Sequence, residues 1–481
     1  MHADLSRVTF RPGKHYSAVL AQQGRVQLDA DANEQAAMEL HRIRTLTRDL
    51  IGDHGGPGDD LGFAIAFQPG GQGPSDLTIG GGRYYVDGIL LDADRPRPGV
   101  AVPDDGTPAE QTVGPSEHWT YWDQPDAYRD QEKPADRLPD TFPYTVYLKV
   151  WERGVTAVED PSLREVALGA ALPDTAARTK VVWQVLAARH GVPDGGTETI
   201  RRAFGAWAAA RHAGPGLLAA RAQRPERADD PCLTHPDAAY RGPENQLYRV
   251  EIHRGGPVEQ GATFKWSREN GSVVLPVAAI EGSWVDLTTL GGDDKLSLQV
   301  GDRVEVGDSA YVSRGEPGEL PRVEEVDLPG RRVRLSAEPD AGVGRLAERH
   351  PFLRRWDHRA TGARGGLALD QGALCIREGA WLDLEDGVQV YFQAGGDYRP
   401  GDYWLIPART VTGAVEWPAN PAGEPLLQEP AGVTVHYAPL AYVRGADPSE
   451  LDDLRRSFGP LSEPVRSESV RSESVRSARG D

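Results

Sequence analysis

The chain has 481 residues and a formal net charge of −19, a length that calls for several cores in place of one. Its acidity comes without any concentrated Lys/Arg block, which excludes the basic surface that nucleic acid requires. No run of about 18 apolar residues occurs, so no membrane span is expected.

The 55 glycines and 38 prolines suit short strands joined by many turns. The expected fold is therefore mainly β and multidomain, with an N-terminal helix, a helical insertion and a small β-barrel. The start of the chain, Met1 to Ser6, lacks a basic stretch followed by an apolar core. Synthesis in the cytoplasm without a signal peptide is expected. Cys232 and Cys375 read as two ordinary thiols of a reducing compartment.

Residues 1–58 are predicted as a strand–helix anchor. Arg7–Phe10 reads as a short strand, Pro12-Gly13 as a turn, and Tyr16–Val26 as an apolar lead into a helix. Asp31 with Glu34 three residues on has the spacing of a capping box. Ala36, Leu40, Ile43, Thr47 and Leu50 then recur at alternating spacings of four and three, which places them on one helical face. That face either packs on its own domain or forms a seam between subunits, and barely two heptads do not distinguish the two. Gly52 ends the helix.

Residues 59–190 are predicted as a β domain. Leu77–Ile79 and Arg83–Leu91 read as a hairpin around Gly80-Gly81-Gly82. Residues 101–143 read as a long surface connection, and Tyr144–Glu152 and Thr179–Leu186 as strands. Residues 191–243 are predicted as a helical insertion, with helices over Glu198–His212 and Leu217–Gln223. Residues 244–290 continue the scaffold with strands at Leu247–His253, Phe264–Trp266 and Ser272–Val277. Residues 291–340 carry the pattern of a five-stranded barrel, and 341–445 that of a C-terminal β block. From 446 to 481 a disordered tail is expected. Its units Ser-Glu-Pro-Val-Arg and Ser-Glu-Ser-Val-Arg, repeated over 462–476, match neither helix nor strand and offer one valine per repeat.

Enzyme signatures are sparse. No phosphate-cradling G-x-x-x-x-G-K-[ST] and no G-x-G-x-x-G after a strand is present. Gly307-Asp308-Ser309 opens like a nucleophile elbow but lacks the closing glycine, and no strand-to-helix setting is read there. H-E-x-x-H and C-x-x-C are absent, so no metal and no cofactor is expected. Asp29-x-Asp31-x-Asn33 imitates a calcium loop, yet Glu34 and Leu40 stand where that loop needs glycine and a bidentate glutamate. Helix capping accounts for it better. Arg479-Gly480-Asp481 spells an integrin-binding tripeptide and is read as coincidence. The 11 tryptophans are either core residues or stacking platforms for sugars. Carboxylates are too numerous to nominate a glycosidase pair.

Several stretches resemble a family of bacterial tail-associated proteins encoded with contractile, phage-tail-like injection systems. They are Tyr16–Asp31, Ala262–Ser272, Tyr398–Arg409 and Tyr437–Ala441. Gly82–Gly88 likewise resembles a hairpin of baseplate and tail-fibre proteins. Where relatives carry two histidines before the tyrosine near the C-terminus, this chain has Val435 and His436, which argues against a metal site there.

The resemblance implies a non-catalytic baseplate, spike-associated or fibre-like component. It would dock through its N-terminal segment and belong to a particle that is either cytoplasmic or released. The partners implied are other particle proteins, further copies of the chain (a trimer) and a surface glycan, with no nucleic acid. Leu40, Ile43 and Leu50 are the candidate docking residues. Trp266 and Trp404 are the candidate glycan contacts for the alternative, a carbohydrate-binding or polysaccharide-degrading module. An injected effector is the third reading.

Overall fold

The computed structural model describes residues 1–71, 73–96, 118–169, 174–191, 195–212, 214–223, 239–291, 296–359 and 367–460. Cys232, residues 101–117 of the 101–143 connection and the 462–476 repeats lie outside them. The protein is mainly β, built as three modules with separate apolar cores.

The modules are nested. The first is centred on the sheet of Leu451–Asp453, Val435–Val443, Tyr144–Val155 and Arg178–Ala188. The chain leaves this module after the helix that ends at Ala210 and returns at Val435. The alternation of Tyr144–Val155 explains how it is covered on both sides. Val146, Leu148 and Val150 enter the core with Phe63, Tyr84 and Leu440. On the opposite face, Tyr147 meets Phe204 and Trp207 of helix α2, Thr197–Ala210.

The second module is a six-stranded sheet ordered Leu369–Asp370, Ala373–Cys375, Thr263–Ser267, Gln246–Arg254, Tyr403–Arg409, Ala414–Val415. It packs on a three-stranded sheet of Trp381–Glu385, Val388–Phe392 and Leu218–Ala222. Inserted into it is the third module, six strands ordered Arg303–Gly307, Phe352–Trp356, Val274–Glu281, Trp284–Leu287, Arg332–Leu335, Val323–Asp327. Its outer strands approach each other, the Val304 amide donating to Pro321 and the Val323 amide to Asp302, so the sheet curls back on itself. A short helix α3, Ser309–Arg314, follows its first strand.

This nesting corrects the linear division of the chain. The barrel-like sheet has six strands, and three of them lie outside 291–340. The 341–445 block does not exist as a unit. Its strands go to the third module (Phe352–Trp356), the second (Leu369–Val415) and the first (Val435–Val443). Strands from 244–290 are likewise shared between the second and third modules. Leu217–Gln223 is not helical: Leu218–Ala222 pairs antiparallel with Val388–Phe392, because pairing outweighs the helix preference of its alanines. The described part of the 191–243 segment is thus one inserted helix, packed on the first module, followed by one strand of the second module in place of a second helix.

Smaller corrections follow the same logic. Leu77–Ile79 pairs with Ile65–Gln68 and Trp119–Thr120, and the hairpin lies within Arg83–Asp92 instead. Its turn is Asp87-Gly88, both at positive φ, as a tight two-residue hairpin turn demands. Arg7–Phe10 is not a strand. Residues 446–460 are ordered: Leu451–Asp453 pairs with Ala441–Val443, Leu454 is fully buried and Ser457–Phe458 pairs with Gly56–Pro57.

The helix called the anchor is α1, Asp29–Ile51. It starts two residues before the expected cap, so Asp31 sits inside the first turn and accepts from the Leu28 amide at 3.2 Å. Asp29 accepts from the Ser6 amide and hydroxyl at 2.9 and 2.6 Å, which ties the preceding segment to the start of the helix. Gly52 ends the helix at φ 92. Arg44 fastens α1 to the first module through a bidentate pair with Glu152, 2.6 and 2.8 Å. At Gly88 any Cβ would stand 2.3 Å from the Arg44 carbonyl oxygen, so only glycine permits this approach.

Candidate functional site

Two regions stand out chemically: a buried ionic hub where the modules meet, and an exposed apolar face on α1. The hub arises from strand register. Glu251 lies opposite Lys265 in the second module, and Glu305 opposite Arg354 in the third. Each is a cross-strand acid–base pair of the kind that stabilises a sheet. The two pairs face each other, and Lys265 crosses between them. Its Nζ lies 2.7 Å from Glu305 and 3.3 Å from Glu251.

The remaining hydrogen-bonding capacity is filled densely. Glu305 also accepts from the Tyr311 hydroxyl at 3.0 Å, Trp356 Nε1 at 3.1 Å and Arg354 at 3.4 Å. Glu251 accepts from Arg249 Nε and pairs with His2 Nε2 at 2.8 Å. The Lys265 ammonium sits 4.4 Å above the Trp356 ring, and the Arg249 guanidinium 3.7 Å above Tyr403.

Residues 1–3 are part of this hub, contrary to their assignment to a separate anchor. Asn270 donates to the Met1 and Ala3 carbonyls at 3.1 and 2.8 Å, and Arg249 donates to Met1 at 3.3 Å. A Cβ at Gly271, which has φ +65, would lie 2.7 Å from the His2 ring. The first module closes the remaining side with Trp151–Gly154, leaving a cavity of about 160 Å³. Around it, Arg314 of α3 grips Asp136 at 2.8 and 3.1 Å, and Arg268 grips Glu385 and Asp357.

Electrostatics determine what the hub can do. Burial pushes Glu305 up, but Lys265 and Arg354 outweigh it and bring the carboxyl down to about 2. Burial opposes ionisation of Glu251 as well, and Arg249, Lys265 and His2 hold it well below the usual carboxylate range. Both acids are therefore anionic at neutral pH, and neither can be the proton donor that glycoside hydrolysis requires. His253 and His358 are lowered to about 4, chiefly by burial. Their Nε2 atoms donate to the carbonyls of Gly318 and Gly372, each at 2.8 Å, so both imidazoles are neutral. The ion pairs join the second module, the third module and residues 1–3.

The N-terminal face has the opposite character. Leu40, Ile43 and Leu50 lie together on α1 with 42%, 60% and 62% of their surface exposed, and Leu46 joins them. On other sides of the helix Ala30 and Met38 are buried and Arg44 pairs with Glu152 of the first module. The strap that precedes it adds Tyr16, Leu20 and Val26, all exposed.

Trp266 and Trp404 belong to neither region. They are 4% and 2% exposed in the core of the second module. Trp404 Nε1 donates to the Gln428 carbonyl at 3.0 Å, and Trp266 packs beside Tyr248. Buried indoles offer no stacking surface, so both are withdrawn as glycan contacts. His436 pairs with Asp87 at 2.6 Å and ties the strand Val435–Val443 to the hairpin. Ser309 does occupy a strand-to-helix setting, contrary to expectation. It is buried at the start of α3, where Asp308 caps the helix through the Tyr311 amide at 2.9 Å.

Arg249, Glu251, Lys265, Glu305 and Arg354 were not singled out from sequence, because alternating charges in a strand normally mark a solvated face. The available signal was the coincidence of Lys265, alone among the five, with a stretch that carries the resemblance. Lys265, Arg268, Asn270 and Gly271 fall in Ala262–Ser272, and Tyr403 falls in Tyr398–Arg409.

Fold and hub together define a nested, multi-module β protein clamped by a central ionic network. The chain belongs to a family of unknown function, DUF6519, whose model matches residues 1–204 and 192–447. No curated protein and no solved structure matches it.

Proposed function

We propose that the protein is a non-catalytic structural component that docks onto a larger particle through its N-terminal face. The contractile, phage-tail-like injection system suggested by the resembling stretches is the particle we have in mind. One observation carries the reading. A body whose central charges are paired internally presents Leu40, Ile43, Leu46 and Leu50 to solvent on a helix fastened from its other side. A cluster of exposed leucines on a rigid support fits an interaction surface better than a solvent face.

The test is incorporation. Leu40→Asp with Ile43→Asp is expected to abolish recovery of the protein in purified particles, while its near-ultraviolet circular dichroism stays unchanged. Normal incorporation of that double variant would sink the docking role. Release of reducing ends from cell-wall polysaccharides at enzymatic turnover would overturn the non-catalytic part of the reading.

A further inference from the structure

We propose that the apolar face of α1 is covered by the α1 helix of a second copy of this chain, in an antiparallel, two-fold pair. The inference rests on the docking reading above and names the first occupant of that face.

Three features of one helix converge on it. The first is the seam: Ala36, Leu40, Ile43, Thr47 and Leu50 keep the four–three alternation that lets helices interdigitate. Leu40, Ile43 and Leu50 are exposed, whereas Ala30 and Met38 are buried and Arg44 is held by Glu152.

The second is charge. Residues 29–39 carry Asp29, Asp31, Glu34 and Glu39 and no Lys or Arg, whereas residues 40–48 carry Arg42, Arg44 and Arg48 and no Asp or Glu. A parallel pair would set acid beside acid and base beside base. Asp29, Asp31 and Glu34 already bond Ser6, Leu28 and Thr9, and Arg44 and Arg48 pair with Glu152 and Asp53. The charges left for a partner are therefore Glu39 and Arg42, which share a flank and which an antiparallel pair sets beside each other. This complementarity fits a second copy of the helix itself, and it counters at the seam the repulsion between two bodies of charge −19 each.

The third is side-chain size. The bulky exposed residues Leu40, Ile43, Leu46 and Leu50 lie in the C-terminal half, and the N-terminal half of the same side offers Ala32 and Ala36. With the two-fold axis between residues 40 and 43, Leu40 and Ile43 of the two copies meet at the centre. Leu46 and Leu50 then lie over Ala36 and Ala32 of the other helix. Large faces small at both ends of the seam, whereas parallel pairing would set alanine on alanine and leave voids. Such an isologous contact closes on itself and stops at two copies.

The experiment uses the full chain in sedimentation equilibrium. The wild type is expected to show a concentration-dependent dimer. Ile43→Asp should be monomeric with unchanged circular dichroism. Glu39→Arg and Arg42→Glu should each weaken the dimer by about tenfold or more, and an equimolar mixture of the two should restore it. That rescue requires folded protein and does not depend on the aspartate variant.

Orientation is read by oxidation in a background with Cys232→Ser and Cys375→Ser. Ala36→Cys and Leu46→Cys should cross-link to each other and neither to itself. A wild type monomeric at every concentration, a dimer that survives Ile43→Asp, or self-linking of each cysteine variant would overturn the proposal. Particle incorporation is scored separately. A monomeric protein that still enters particles through Leu40 and Ile43 defeats the pairing and leaves the docking role standing. A dimer that never enters them does the reverse.

Discussion

The hub and the α1 face invert the usual distribution of side chains. The hub buries Arg249, Glu251, Lys265, Glu305 and Arg354, while α1 exposes Leu40, Ile43, Leu46 and Leu50. Each inversion carries a cost that its neighbours must offset. In the hub the compensation lies inside the chain: every carboxylate meets several donors, and the cations lie on aromatic rings. On α1 the body contributes an attachment through Arg44, and under the proposed function the compensation comes from outside. On that reading one region concerns how the protein holds together, and the other what it holds on to.

The sharpest way to break this contrast is at Lys265. Replacing it with methionine keeps the bulk but leaves two buried carboxylates short of their shared cation. Loss of about 3–5 kcal/mol is expected, the range for removing one partner of a buried ion pair. Urea denaturation measures it. A loss under about 1 kcal/mol would mean that water or the remaining arginines already satisfy Glu305 and Glu251.

Acid sharpens the same point. His253 and His358 have folded pKa values of about 4 against an ordinary 6.5. Below pH 6.5 the unfolded chain therefore binds protons that the folded chain refuses. Stability should fall as pH drops from 6.5 to 4, by up to about 3 kcal/mol for each histidine, and this contribution should level off below pH 4. Glu305 and Glu251, whose folded values are depressed, add a further loss only as pH falls below their unfolded range near 4.5. His358→Gln should reduce proton uptake on unfolding in the 6.5–4 window by one proton, read by calorimetry in buffers of different ionisation enthalpy. Equal uptake in variant and wild type would show that His358 is protonated in the folded state.

The two regions also differ in how far sequence reveals them. The α1 face was legible because helical spacing is local: Leu40, Ile43 and Leu50 follow from counting along one segment. The β strands were legible for the same reason, as in the alternation of Val146, Leu148 and Val150. The hub was not. Glu251 and Lys265 are adjacent only through strand pairing, and Lys265 and Glu305 only because one module is inserted into another. Nesting also hid the module boundaries, since Val435–Val443 reads like its sequence neighbours but pairs with Tyr144–Val155. Leu218–Ala222 misled through composition, because alanines favour helix until a partner strand such as Val388–Phe392 is supplied.

The smallest expected effect lies at the C-terminal end. Composition places the start of a disordered tail at residue 446 and of its dispensable part near 455, whereas the fold continues to residue 460. Leu454 is fully buried, Arg455 donates to the Leu61 and Gly62 carbonyls at 3.0 and 2.9 Å, and Ser457–Phe458 extends the sheet at Gly56–Pro57. Each repeat beyond it brings one valine against one acid and one base, too little apolar surface to offset the entropy of ordering five residues. Truncation after residue 460 is therefore expected to change stability by no more than about 0.5 kcal/mol. Truncation after residue 445 should cost several times more, because it removes Leu454 and two paired segments. Thermal melts of the two truncations side by side decide the matter. Equal melting temperatures would place the boundary back at 446 and show that the last strands hold nothing. A large loss from the shorter deletion would show that the repeats contribute to the fold.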